Sequence, residues 1–217
     1  KKFGKVGIVG YGSYVPEGRL AVKDIARMRG KDGEGLCESL RLTHKAVAGD
    51  DEDAATLAWE AATAALALTK LAANKIGAIY IGSESHPYAV KPTATMVGEA
   101  LGIGNNYLAA DLEFACKAGT AGVQIIAAEV ESGLIDYGLA IGSDVAQARP
   151  GDALEYTAGA GAAALILGKD KKKWKAVLEY TSSYSSDTPD FWRRDGAKYT
   201  SHAGRFTGEP AYFKHVI

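Results

Sequence analysis

Cysteine is scarce in this chain: Cys37 and Cys116 are the only two among 217 residues. Two cysteines make neither a disulfide framework nor a metal-ligand set, and the four histidines, His44, His86, His202 and His215, add no metal-ligand spacing. Reduced thiols are therefore the default reading. Long apolar runs are also missing. No stretch of 18 or more apolar residues is present to span a bilayer, and the opening KKFGKVGIVGYG lacks the apolar stretch and small-residue cleavage site of a signal peptide. Excess charge is absent too. A net charge of −1 gives no basic field to draw in nucleic acid. What is there, 47% hydrophobic and 24% charged residues, is the composition of a globular protein with ample core material, expected to be cytoplasmic, with neither nucleic acid nor membrane as a partner.

The remaining sequence alternates between strand and helix signals. Val6 to Val9 is a short apolar run that enters the turn GYGSYVP and reads as a buried strand. Leu20 to Arg29 reads as a short helix, followed by a charged, glycine-rich loop GKDGEG with Cys37 just beyond it. GDDEDAATLAWEAATAALALTKL carries acidic residues Asp50 to Asp53 at its start and Lys70 near its end, which complements the helix dipole and predicts a long helix. Its alanines predict close packing against other backbone. IGAIYIGSES predicts a strand, TATMVGEALGIG a helix closed by glycine, Tyr107 to Leu112 a strand, Lys117 to Leu134 a small-residue helix and YGLAIGSD a strand. This order argues for an α/β fold, a mostly parallel sheet covered by helices on both faces.

In such sheets, chemistry gathers beyond the carboxyl ends of the strands. Cys116, in EFACKAGTAG, lies between a strand and a helix, so its thiol falls at a helix start, where unpaired N–H groups and the dipole lower a thiol's pKa. The other reading is an inert buried cysteine. Gly119 and Gly122 behind it allow close approach of backbone or substrate. Glu84, in GSES, also follows a strand end and can meet Cys116 in one pocket; a carboxyl partly removed from water there can give and take protons. Taken alone, it reads first as an exposed loop glutamate. His86 is an alternative acid or base, although Pro87 argues that the strand stops before it.

Together EFACKAGTAG, IGSES, EYTAGAGAAALIL and DFWRRDG resemble the archaeal type of 3-hydroxy-3-methylglutaryl-CoA synthase, a thiolase-superfamily enzyme. The cysteine and glycine-rich pieces alone suit any thiolase-like condensing enzyme. The combination of Glu84 with Asp190-Phe191-Trp192-Arg193 is what carries the assignment. The resemblance implies the N-terminal half of the αβαβα five-layer thiolase-like fold. It implies that Cys116 takes the acetyl group of acetyl-CoA as a thioester and that Glu84 is the acid and base when acetyl-enzyme attacks acetoacetyl-CoA. It also places Thr157 near the bound acyl group and Thr207 along the CoA arm, though a plain turn hydroxyl fits either threonine; Trp192 and Arg193 are expected to brace the site.

The family's catalytic histidine belongs to the second half of that fold, so no residue here takes its role, and His215 on a C-terminal amphipathic helix is expected to be structural. The apolar surface of Lys117 to Leu134 and the absence of a stop signal after His215 point to residues 1–217 being one half of a domain, completed by a second polypeptide or by more of the same one. The resemblance further implies a homodimer, association with an acetoacetyl-CoA thiolase and a small zinc-ribbon and OB-fold protein, and no metal or organic cofactor. The competing expectations are a ketoacyl synthase III, an acetyl-CoA acetyltransferase, or a non-catalytic scaffold half-subunit.

Overall fold

The computed structural model describes residues 2–146 and 148–216, which divide into two compact units. The first comprises residues 1–21, 44–146 and 159–181, the second residues 22–43, 147–158 and 182–217. Asp53 starts the longest helix of the first unit, α3 (Ala54–Thr69): its carboxylate accepts from the N–H groups of Ala55 and Thr56, and the Thr56 hydroxyl accepts from the Asp53 N–H. This reciprocal cap satisfies donors that a helix start leaves open. The alanines expected to pack on backbone do so. A Cβ placed on Gly12 of β1 (Gly7–Tyr14) would lie 2.3 Å from the Ala61 carbonyl oxygen, so glycine there lets strand and helix touch.

The remaining elements of this unit are β2 (Gly18–Ala21), β3 (His44–Val47), β4 (Ile76–Gly82), α4 (Thr93–Leu101), β5 (Leu108–Leu112), α5 (Ala118–Ser132), β6 (Tyr137–Asp144), β7 (Gly161–Gly168) and β8 (Ala176–Val177). Its main sheet has the order β5-β4-β6-β7-β1-β8. β4 pairs parallel with β5 and β6, whereas β7 is antiparallel to β6 and β1, and β8 is antiparallel to β1. Strands β1, β4, β5 and β6 thus share one direction, the mostly parallel sheet expected, with β7 and β8 reversed. Side chains alternate across the sheet. Ile79, Ile81, Leu139 and Ile141 pack under α3 and α4; Ala78, Tyr80 and Ala140 pack on the opposite face under Ile126, Ala127 and Val130 of α5.

Local departures have identifiable causes. The helix expected from Leu20 begins only at Val22, because Gly18–Ala21 pairs with His44–Val47 as β2 with β3, and tertiary pairing overrides a short helical pattern. In the second unit, α1 (Val22–Met28) is followed by α2 (Gly33–Leu40), which arises inside the segment read as a loop: the Asp32 carboxylate caps it by accepting from the Glu34 N–H, and Cys37 lies within it, half-buried. Arg29 grips Glu155 through two bonds of 2.9 and 2.8 Å. Further on, β9 (Phe191–Trp192) pairs with β10 (Ser201–His202), and Thr207–Phe213 forms a wide π-helix before a last turn at Lys214–Val216. Pro210 within it has no N–H to close an ordinary helical turn.

Candidate active site

Three neighbouring parallel strands end side by side, and their carboxyl ends build the site. After β5 the chain passes Phe114 into a tight turn at Ala115–Lys117 that leads into α5. Ala115 there has φ +44°, a left-handed conformation that disfavours a residue with a Cβ. Such strain persists where the surroundings over-determine the backbone, and it is stored beside the thiol. The helix can seat closely because Gly82, the last residue of β4, carries no side chain: a Cβ on it would lie 2.4 Å from the Ala118 carbonyl carbon and from the Gly119 nitrogen.

This packing brings Cys116 Sγ within 3.7 Å of Glu84 Oε1, so the two residues expected to meet do meet. Glu84 sits just after β4 in a turn fastened to β6. Asp144, the last residue of β6, accepts from the Glu84 N–H (2.8 Å) through Oδ2, and from the Ser85 hydroxyl (2.7 Å) and the Ala146 N–H (3.2 Å) through Oδ1. Ser85 Oγ in turn accepts from the Val145 N–H at 3.1 Å. The carboxylate–thiol pair is thus held by the main chain of two adjacent strands.

The electrostatics correct one expectation. The Cys116 thiol is pushed up, not down, from its ordinary pKa. Partial burial is the largest cause, the Glu84 carboxylate beside it adds to the effect as charge and as hydrogen-bond acceptor, and Asp144 contributes further. A backbone N–H at the helix start acts the opposite way and is outweighed. The sulfur is therefore a thiol hydrogen-bonded to a carboxylate, a pair in which the proton can pass to the carboxylate as the sulfur attacks.

Thr157 and Thr207 belong to the second unit. Thr157 is exposed and closes the turn Ala153–Tyr156; the Thr207 hydroxyl lies 3.1 Å from His202 Nε2. Trp192 is 45% exposed in β9, and Arg193 follows it. His215 lies 2.6 Å from the Ser186 hydroxyl and edge-on to Tyr184. Among the described residues, no three His, Cys, Asp or Glu side chains are placed to share a metal ion, and no helix is long and apolar enough to cross a membrane. Sequence reasoning missed Asp144, although the rule that led to Glu84, a polar residue at the carboxyl end of a parallel strand, also singles out the last residue of YGLAIGSD.

Sheet order, the helix seated on Gly82 and the cysteine–carboxylate pair define the cysteine-bearing half of a thiolase-like fold. Residues 2–172 match the family model for the hydroxymethylglutaryl-coenzyme A synthase N terminal region, and the chain belongs to that family. It is 61% identical over 212 residues to a hydroxymethylglutaryl-CoA synthase of Archaeoglobus fulgidus, a match that covers 98% of this chain and 61% of the relative. The chain therefore spans about three fifths of that relative's length. Among solved structures it resembles an HMG-CoA synthase complexed with CoA (TM-score 0.86, 27% identity, covering 94% of this chain and 52% of that one). It also resembles MvaS in complex with 3-hydroxy-3-methylglutaryl coenzyme A (TM-score 0.85, 28% identity, covering 95% and 50%).

Proposed function

We propose that this chain is the nucleophile-bearing part of a hydroxymethylglutaryl-CoA synthase, which condenses acetyl-CoA with acetoacetyl-CoA and water to give 3-hydroxy-3-methylglutaryl-CoA and CoA, a step towards isoprenoid precursors. The observation that carries this reading is the 3.7 Å approach of Cys116 Sγ to Glu84 Oε1, in a chain of this family.

In the first stage the Cys116 sulfur attacks the thioester carbonyl of acetyl-CoA, its proton leaves towards Glu84, and CoA departs as the thiol. In the second, Glu84 takes a proton from the methyl group of the acetyl-cysteine. The resulting carbon nucleophile adds to the ketone of acetoacetyl-CoA, and the alkoxide formed is protonated. Water then cleaves the Cys116 thioester, releasing the free carboxylate of the product and restoring the thiol. A thioester suits this sequence because it both stores the acyl group and acidifies its α-carbon, while one placed carboxyl serves the proton transfers. No metal or organic cofactor is required in this scheme. Thr157 is assigned to the surroundings of the acyl group and Thr207 to the CoA arm. A catalytic histidine and the cover of the site are assigned to the part of the family's length that this chain does not span. The working form is read as a cytoplasmic homodimer, in company with an acetoacetyl-CoA thiolase and a zinc-ribbon and OB-fold protein.

Intact-mass spectrometry of the full-length protein after brief exposure to acetyl-CoA tests the first stage. An added mass of about 42 Da on this chain, absent in Cys116→Ala, is expected for an acyl carrier. A wild-type protein that stays unmodified while folded overturns the reading and leaves the scaffold role in its place.

A further inference from the structure

Glu84 is fastened on one side by Asp144. Two residues on, His86 fastens the same turn to a different strand. Its side chain is 5% exposed, with Nδ1 2.8 Å from Thr93 Oγ1 and 3.4 Å from Asp111 Oδ2. Asp111 is a residue of β5, the strand that leads to Cys116, and its carboxylate also accepts from the N–H groups of Thr93 (2.6 Å) and Ala94 (2.8 Å) at the start of α4. A carboxylate of this kind only accepts, so Nδ1 is suited to donate. Nε2 is then the ring's remaining polar atom, buried and without a hydrogen-bond partner among the described residues. An apolar ring would fill this space without leaving a polar atom unsatisfied. The arrangement spends that cost on Nδ1, whose two neighbours tie the Glu84 turn to β5.

We propose that His86 is a positioning residue for Glu84: by anchoring the 83–86 turn to Thr93 and Asp111 it sets the separation between the Glu84 carboxylate and the Cys116 thiol. The ring thereby leaves the role of acid or base, which its place near Glu84 first suggested, to the glutamate itself. The inference rests on Glu84 acting as proposed above, but its test has one arm that needs no turnover.

That arm is the pH profile of Cys116 alkylation by iodoacetamide in the full-length protein, read by mass for the wild type, Glu84→Gln, His86→Phe, His86→Asn and Thr93→Val, each with its thermal midpoint. Removing the Glu84 charge moves the alkylation midpoint to lower pH. His86→Phe is expected to move it in the same direction in a protein that remains folded, and His86→Asn, whose amide can still donate near the Nδ1 position, to restore it. Thr93→Val tests the same tie from the other end if His86→Phe does not fold. The second arm compares acetylation of Cys116 with condensation. Acetylation of His86→Phe is expected to fall less than condensation, in which the misplaced carboxylate must take a proton from carbon and which falls about 10- to 100-fold, as for the loss of groups that orient a reacting side chain. A folded His86→Phe or Thr93→Val with the wild-type alkylation profile overturns the proposal, as does an equal fall in acetylation and condensation. Shifted profiles in a wild-type protein that acetyl-CoA never acetylates would uphold the placement of Glu84 by His86 and overturn the synthase reading instead.

Discussion

A thiol beside a carboxylate holds its proton longer than a free thiol, and at Cys116 this has two consequences that experiments separate. Because the folded-state pKa lies above the unfolded one, the group's contribution to stability is present below the ordinary thiol range, near pH 8.5, and is lost as pH rises through the folded value. The decline of the urea midpoint on the alkaline side should therefore be shallower in Cys116→Ser than in the wild type. Chemistry gives a second contrast. Glu84→Gln keeps the size of the side chain but removes a proton acceptor, so condensation by the full-length protein should fall by about 10²- to 10⁴-fold, and acetyl transfer to Cys116, whose proton Glu84 also receives, should fall by less. If both stages survive unchanged, another group is the base. Asp144→Ala leaves the Glu84 N–H, the Ser85 hydroxyl and the Ala146 N–H without their acceptor and is expected to lower condensation about 10- to 100-fold. Asp144→Asn, which keeps an accepting oxygen, should retain more activity than the alanine variant.

At the scale of elements, the site depends on how closely α5 rests on the end of β4. Gly82→Ala would drive a methyl group into the backbone of Ala118 and Gly119, so strand and helix must part. Overpacking of this kind costs about 1–3 kcal/mol and should appear as a lower urea midpoint together with lost acetylation of Cys116. Retention of both would show that the helix can shift without disturbing the thiol. The elements were legible in the sequence wherever local signals and tertiary demands coincide. α3 has its Asp53 cap and its alanines, α4 its closing Gly102 with φ +70°, and β4 and β6 their unbroken apolar runs. β2 and β3 were not, because four-residue strands with exposed edges carry no alternation and exist by pairing with each other. The meeting of Glu84 and Cys116 was legible through the rule for strand ends. The direction of the Cys116 shift was not, since it turns on how much water the fold removes and on the carboxylate's approach in space, and the helix start alone pointed the other way.

For the whole molecule, an open face of α5 within the first unit bears on what else the site requires. Lys117, Ala121, Gln124, Ile125, Ala128, Glu129 and Ser132 line an open groove of about 590 Å³, and Ile125 is 36% exposed in its middle. Glu129 accepts from the Tyr80 hydroxyl at 2.5 Å and keeps its second oxygen buried without a partner among the described residues, a group that a covering segment can satisfy. The match to the Archaeoglobus fulgidus relative covers 61% of that relative's length, and a segment corresponding to its remainder is the occupant to test for this groove. Ile125→Asp discriminates. In the present chain alone it places a charge on an accessible helix face and should change the unfolding free energy by no more than about 0.5 kcal/mol. In a longer protein whose further segment covers the groove, the same charge would be buried without a partner, and the loss should reach about 2 kcal/mol or more. Equal urea midpoint shifts in the two proteins would mean that the groove stays open, and that the cover of the cysteine helix must be sought on another surface.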